Sequence, residues 1–245
     1  MRSRWRTGAG RRARPETVAR LLVRTFSELC LTVGTLIVLF VVYVLWWTGF
    51  VADRAMAAEI DRLRADRAAA GPAAPGPTAD PDRPRPGAGA DTGYRVGRVF
   101  AEMRIPRFGP DWHKPVLEGT DPDTLARGLG HYPDTARAGA VGNFAVAGHR
   151  RTHGDPFKDF PELRPGDLVV ITDASTRYTY TIRGGPHRTL PSDVRVVDPV
   201  PRSSPFTGPG RYLTLTTCDP EWGHSHRLIV WAELTDTRAA RAGSP

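Results

Sequence analysis

Cys218 closes the run Tyr-Leu-Thr-Leu-Thr-Thr-Cys at residues 212–218, in which polar and apolar side chains alternate. Successive side chains of a strand take opposite faces, so Leu213 and Leu215 are predicted to face a core. Thr214, Thr216 and Cys218 then point the other way, toward solvent or a groove. Asp219-Pro220 breaks the ladder and leaves the thiol at the strand's end. The next strand pattern, Arg227–Leu234, puts Leu228, Val230, Ala232 and Leu234 on one face and Arg227, Ile229, Trp231 and Glu233 on the other. Only residues 219–226 separate the two runs. Antiparallel pairing would therefore bring thiol and guanidinium together. An arginine in that place favours the thiolate, the nucleophilic form, and can donate hydrogen bonds to a developing oxyanion. The plainer alternatives are a buried cysteine acting as a small hydrophobe and an ordinary surface arginine.

A cysteine nucleophile also needs a proton carrier. Of seven histidines, His149 is the best placed, because it follows Phe144–Gly148 at a predicted strand end. His224 and His226 lie in the turn before Arg227, and His153 follows His149 by four residues. A metal site on His149 and His153 is disfavoured. Gly154 and the strand-end context argue against a helix that would bring the two rings together, and no HExxH-type carboxylate accompanies them. Unperturbed, a cysteine titrates near ~8.5 and a histidine near ~6.5, so thiol and imidazole would both be mostly neutral near pH 7.

These residues must be carried by a particular architecture. The net charge is +8, but residues 1–28 hold eight arginines against Glu16 and Glu28 and so account for +6 of it. The basicity is a property of the tail, which argues against a nucleic-acid-binding domain. From Leu29 to Val51 no Asp, Glu, Lys or Arg occurs, and about 20 such residues cross a bilayer core as a helix. A signal peptide has a shorter apolar region, although Ala52 and Ala55 could imitate a cleavage motif. Tyr43, Trp46, Trp47 and Phe50 near the far end suit an interface. We therefore expect a basic cytoplasmic tail (1–28), a transmembrane helix (29–51) and an extracellular remainder. Cys30 would then sit at the cytoplasmic edge and Cys218 outside, leaving an unpaired thiol in an exported domain.

Residues 52–93 read as a membrane-proximal segment followed by a spacer. Residues 53–70 could continue as a helix, whereas 71–93 hold six prolines and five glycines. The spacer cannot bury enough apolar surface to order itself, and its expected job is to hold the next domain away from the lipid. From Tyr94 short strand-like runs recur between Gly, Pro and Asp: Arg98–Ile105, Asn143–Ala147, Asp167–Ile171, Tyr178–Arg183, Val194–Val197, Tyr212–Cys218 and Arg227–Leu234. Short helices are expected at Pro122–Gly128 and Pro156–Leu163. The pattern argues for an all-β sandwich or barrel in a domain at 94–236, with a C-terminal tail at 237–245.

Three segments, in order, resemble the sortase signature: Ala147-Gly148-His149-Arg150, Thr214-Leu215-Thr216-Thr217-Cys218 and Arg227-Leu228-Ile229-Val230. The resemblance covers roughly residues 97–236. The Gly-His-Arg-x-x-His-Gly run at 148–154 and the Arg-Leu-Ile-Val-Trp ending look most like class E, typical of actinobacteria. The resemblance implies a closed β-barrel of about eight strands and a cysteine transpeptidase whose first step resembles that of a hydrolytic cysteine protease. It implies Cys218 as nucleophile, His149 as acid/base and Arg227 as oxyanion stabiliser, with no cofactor and no metal. The reaction implied is cleavage of a C-terminal sorting signal, Leu-Ala-x-Thr-Gly or Leu-Pro-x-Thr-Gly in kind, between Thr and Gly. The partners implied are secreted proteins bearing that signal and a peptidoglycan-precursor amine. Gly130-His131-Tyr132-Pro133 resembles a class E segment whose Tyr shapes motif preference, so Tyr132 and, beside the cysteine, Thr217 are substrate-binding candidates. An L,D-transpeptidase would carry glycines before its cysteine, where Thr216 and Thr217 stand. A class D sortase and a non-catalytic anchored β-domain that binds wall or protein partners remain as alternatives.

Overall fold

The computed structural model describes residues 15–69 and 93–240; the side chains of 15–19, 44–46, 48–52 and 66–69 are outside that description. The start of the expected cytoplasmic tail, nearly all of the Pro/Gly-rich spacer and the last five residues thus lie outside the described residues. The chain divides into two compact units, 1–47 and 48–245.

Helix α1, Pro15–Ala69, runs for 55 residues. Within it Arg20–Tyr43, 24 residues, is long and apolar enough to cross a membrane, and its large apolar side chains are exposed. The stretch starts earlier than the uncharged run at 29–51. Leu21, Leu22, Val23 and Phe26 extend the apolar surface past Arg24 and Glu28, which pair with each other at 2.8 Å one turn apart.

In the second unit the C-terminal part of α1 packs on the folded domain. Met56 and Ile60, one helical turn apart and so on one face, are 2% and 1% exposed. Ion pairs flank them: Asp53 with Lys114 at 2.8 Å, Glu59 with Arg127 at 3.4 Å and Arg64 with Glu102 at 2.8 Å. The alanine- and arginine-rich segment after the apolar run is therefore a docked helix.

The domain is a β-barrel. Its strands are β1 (Val99–Arg104), β2 (His113–Glu118), β3 (Leu129–His131), β4 (Gly142–Ala147), β5 (Leu168–Thr172), β6 (Thr176–Ile182), β7 (His187–Thr189), β8 (Arg211–Asp219) and β9 (His226–Ala239). They hydrogen-bond in the order β6-β5-β1-β2-β3-β4-β8-β9, and β6 pairs again with β9 to close the ring, while β7 adds to the free edge of β9. Eight strands thus make the closed barrel. β2/β3 and β4/β8 are parallel, the other pairs antiparallel. Met103, Phe144, Val146, Ile171, Leu213, Leu215 and Val230 fill the interior, each hidden by the inward half of its strand's alternation.

Three strands escape the sequence pattern. β2 carries Pro115, and β3 and β7 have three residues each, too short for periodicity. Of the expected helices, Pro122–Leu125 forms one turn (α2) and only Phe160–Glu162 of the second is helical, as a 3-10 turn. Val194–Val197, expected as a strand, is also a 3-10 turn. Its Val196 packs on Ile229 and Trp231, so these residues cover the outer face of the sheet instead of extending it. This cover over Thr214, whose Oγ1 lies 3.4 Å from the Val196 carbonyl, and the Tyr132 hydroxyl beside Thr216 correct the expectation for both residues. They point off the core as parity requires, yet are 0% and 4% exposed. Thr214 Oγ1 donates to Asn143 Oδ1 at 2.9 Å.

Candidate active site

Parallel β4 and β8 run side by side, with Ala145 level with Thr214 and Ala147 level with Thr216. Two residues further along each chain stand His149 and Cys218. The ladder continues past the strand end, because Gly148 N–H donates to the Thr216 carbonyl at 3.1 Å and Thr217 Oγ1 donates to the Gly148 carbonyl at 2.8 Å. Glycine is required at 148. A Cβ there would meet Phe157 Cδ2 at 2.6 Å and Leu129 Cδ2 at 2.7 Å, closer than real contacts allow, so the approach of the His149 backbone to the core depends on its absence.

On the other side of β8, antiparallel β9 places Arg227 directly opposite Cys218. The cross-strand neighbours expected from parity are therefore present, and both are half-buried. Arg227 Nη1 donates to the carbonyls of His224 (3.1 Å) and His226 (3.0 Å). These bonds fold the guanidinium back against the connection between the strands and leave its other nitrogens for a ligand. The connection is six residues, 220–225, since each strand extends one residue into it beyond its apolar pattern.

His149 is half-buried and stacks on His153, ring centroids 4.7 Å apart with planes 26° from parallel. The two rings thus meet without the helix that the sequence argued against. The turn that joins them is not a helix: His153, Gly154 and Asp155 all take left-handed backbone, with φ of 55°, 79° and 47°, and the chain doubles back under His149. Burial, with repulsion from His153 added, holds the His149 imidazole below its ordinary titration range. The neutral ring is favoured, the form that accepts a proton. Among the described residues no side-chain hydrogen bond engages it, and no group of three or more His, Cys, Asp or Glu could hold a metal ion.

The two substrate-binding candidates separate. Tyr132 is half-buried just beyond β3, its hydroxyl 3.1 Å from Thr216 Oγ1, so it faces the side of β8 that carries Cys218. Thr217 is 3% exposed, and its hydroxyl is engaged by Gly148, on the core side of the strand. Its structural task is to tie the His149 segment to the Cys218 strand.

Sequence reasoning passed over three charged residues beside this pair. Arg150 Nη1 donates to Asp219 Oδ1 at 2.7 Å, and Arg188 Nε donates to Asp219 Oδ2 at 2.6 Å. Burial pushes the Asp219 carboxyl up, but the hydrogen bonds from Arg188 and Arg150 outweigh it and hold the group below the usual carboxylate range. The available signal was an arginine directly after His149 and an aspartate directly after Cys218.

A sortase domain family matches residues 103–235, from the end of β1 through most of β9. Sortase SrtE1 of Streptomyces coelicolor is 37% identical over 96% of this chain, and the chain spans 63% of that protein's length. The structure of sortase E from Streptomyces avermitilis is 61% identical, with a TM-score of 0.58 over 62% of this chain and 97% of that one. Sortase E1 from Streptomyces coelicolor, solved with a tripeptide in the active site, is 40% identical, with a TM-score of 0.57 over 61% of this chain and 95% of that one. The closed eight-stranded barrel is the one typical of sortases, and the chain belongs to the sortase family, on its class E side.

Proposed function

We propose that this chain is a membrane-anchored cysteine transpeptidase that cleaves a C-terminal sorting signal between Thr and Gly and passes the new carboxyl end to a cell-wall amine. The observation that carries the reading is the register at one barrel end: Cys218 lies opposite Arg227 on β9, and the parallel β4–β8 ladder ends with Ala147 beside Thr216, two residues before His149 and two before Cys218.

The chemistry follows from those positions. As sulfur attacks the Thr carbonyl, the neutral His149 imidazole takes the thiol proton and the carbonyl oxygen becomes an oxyanion. Arg227 donates to that oxygen, a contact stronger in the transition state than in the ground state. The imidazolium then gives its proton to the departing Gly amine, the C–N bond breaks, and a thioester remains on Cys218. An incoming amine loses a proton to His149 as it attacks the thioester, and that proton returns to the sulfur. A thiolate is both nucleophile and leaving group, which suits a two-step transfer. Tyr132, half-buried with its hydroxyl 3.1 Å from Thr216 Oγ1 on the Cys218 face, is our candidate for contact with the residues before the scissile bond. The tripeptide held in the active site of the Streptomyces coelicolor relative supports a peptide-binding groove here. We assign the arginine-rich N-terminus to the cytoplasm and the barrel to the cell exterior, on the positive-inside rule.

The test is the full chain in detergent with a panel of Leu-Ala-x-Thr-Gly and Leu-Pro-x-Thr-Gly peptides and an added amine such as triglycine. The expected result is cleavage between Thr and Gly, amine-dependent ligation, and a mass shift on Cys218 equal to the acylated peptide. Cys218→Ala should abolish all three. Cleavage that survives Cys218→Ala sinks the mechanism, and no cleavage across the panel turns the reading toward a non-catalytic binding domain.

A further inference from the structure

Arg150 is the residue where the two halves of the proposed catalytic pair are joined by charge. It follows His149 directly, and its partner Asp219 follows Cys218 directly. The Arg150 side chain is 10% exposed, and beyond its 2.7 Å bond to Asp219 its Nη1 stands 3.5 Å from the Cys218 carbonyl. The guanidinium thus spans from the end of β4 to the end of β8 at the point where the ladder has stopped.

Three further features show a joint, not an isolated surface pair. Arg188 on β7 holds the other oxygen of Asp219, and its Nη2 lies 3.1 Å from His226 Nδ1, so β4, β7, β8 and β9 all converge on one carboxylate. Arg151 pairs with Glu221, and its guanidinium sits over the Trp222 ring, 5.4 Å from the centroid, which repeats the link between the segment after His149 and the segment after Cys218. Arg150 Nε is buried and has no hydrogen-bond partner among the described residues. A buried guanidinium that leaves a donor unused is poorly optimised for stability and points to retention for another reason.

We infer that Arg150 is a positioning residue, which through Asp219 fixes the His149-bearing segment against the Cys218-bearing strand end. This rests on the reading of Cys218 and His149 as the reacting pair. Among the described residues no side-chain hydrogen bond engages His149, and the turn beyond it is left-handed at three residues in succession. The imidazole is therefore held by what its backbone neighbours do, and Arg150 is the neighbour that crosses to the cysteine. A misplacement of about 1 Å between reacting groups can cost on the order of 10²-fold in rate.

Position and charge can be separated, because the two partners have opposite sign. Removing Arg150 takes positive charge from beside the thiol, and removing the Asp219 charge takes negative charge from it. The experiment uses the full chain in detergent in a Cys30→Ser background, with Arg150→Gln, Asp219→Asn, the double variant and Arg150→Lys. Cleavage kinetics, the pH profile of Cys218 alkylation by iodoacetamide, and the melting temperature are read for each. Positioning predicts that Arg150→Gln and Asp219→Asn both lower kcat by roughly 10- to 100-fold with KM changed less than about threefold. Meanwhile the alkylation profile moves to higher pH in the first and lower pH in the second. The double variant should be no worse than the poorer single one, and Arg150→Lys should recover most of kcat. A purely electrostatic role is revealed if Asp219→Asn keeps or raises kcat, and that overturns the inference. So do additive losses in the double variant, or a kcat loss that tracks a fall in melting temperature. A parent chain that neither cleaves nor acylates removes the active-site reading itself, an outcome distinct from an active parent with unaffected variants.

Discussion

His131 and His149 lie at neighbouring strand ends of the same barrel, yet they are held in opposite ways. His131 is 0% exposed. Its Nδ1 lies 2.6 Å from Glu118 Oε2, and its Nε2 is within 3.0 Å of Thr135 Oγ1 and 3.2 Å of the Ala136 carbonyl. Phe144 stacks on the ring at 4.8 Å, and Phe100 meets it edge-on at 5.8 Å. His149 is half-buried, with an exposed histidine for a neighbour and no side-chain hydrogen bond among the described residues. A histidine with both nitrogens engaged is committed to the fold. One whose nitrogens are free and whose neutral form is favoured is available for proton transfer.

Exchanging roles is the sharpest way to break this contrast. His149→Ala should lower kcat/KM by on the order of 10²–10⁴-fold while the melting temperature moves little, as read by peptide cleavage and calorimetry on the same preparations. His131→Ala should do the reverse first. It removes a ring hydrogen-bonded at 2.6 Å to a buried carboxyl group, a loss of about 1–3 kcal/mol, seen as a drop in melting temperature, and any loss of rate should follow from unfolding. If His131→Ala kept its stability but lost its rate, the contrast would collapse.

Smaller effects come from pH and from His153. The folded protein binds a proton on His149 less readily than the unfolded chain does, because burial and His153 lower its titration. The stability this preserves is complete above the ordinary histidine range near ~6.5 and is lost as pH falls through that range toward the folded value. Denaturant melts at pH 7.5 and 5.5 should show that decline, and His149→Gln should reduce it. His153→Ala removes both the repulsion and some of the cover, so the acid limb of the pH–rate profile should shift to higher pH with a small change in the plateau.

Much of the chemistry could be read from residue order. The alternation in 212–218 and 227–234 predicts which side chains are core and which are not, and Leu213, Leu215, Leu228 and Val230 are buried in the interior as that alternation requires. It also predicts that Cys218 and Arg227 lie near each other at one end of the sheet, because a short connection joins the strand that ends on one to the strand that starts on the other. It could not reveal that the other face is covered too. Thr214, Ile229 and Trp231 lie under the 194–197 turn, and a turn's place on a sheet is set by contacts distant in sequence. The same limit applied to α1. Its composition suggested a helix beyond the apolar run, but only packing showed Met56 and Ile60 sealed against the domain.

What the sequence determined by itself is local and periodic: an apolar stretch of membrane length, strands with an inward and an outward face, and a thiol at a strand end with an arginine one short connection away. Each follows from spacings of a few residues, over which backbone geometry is nearly fixed. What only the tertiary structure decided is non-local. It aligned β4 with β8, 69 residues apart at the Gly148–Thr217 bond, so that the segments carrying His149 and Cys218 leave the barrel side by side. It folded His153 onto His149, and it drew Arg150 and Arg188 to one aspartate. Parallel pairing leaves no turn to read, and ion pairs between distant loops leave no period, so nothing short of the closed barrel could place them.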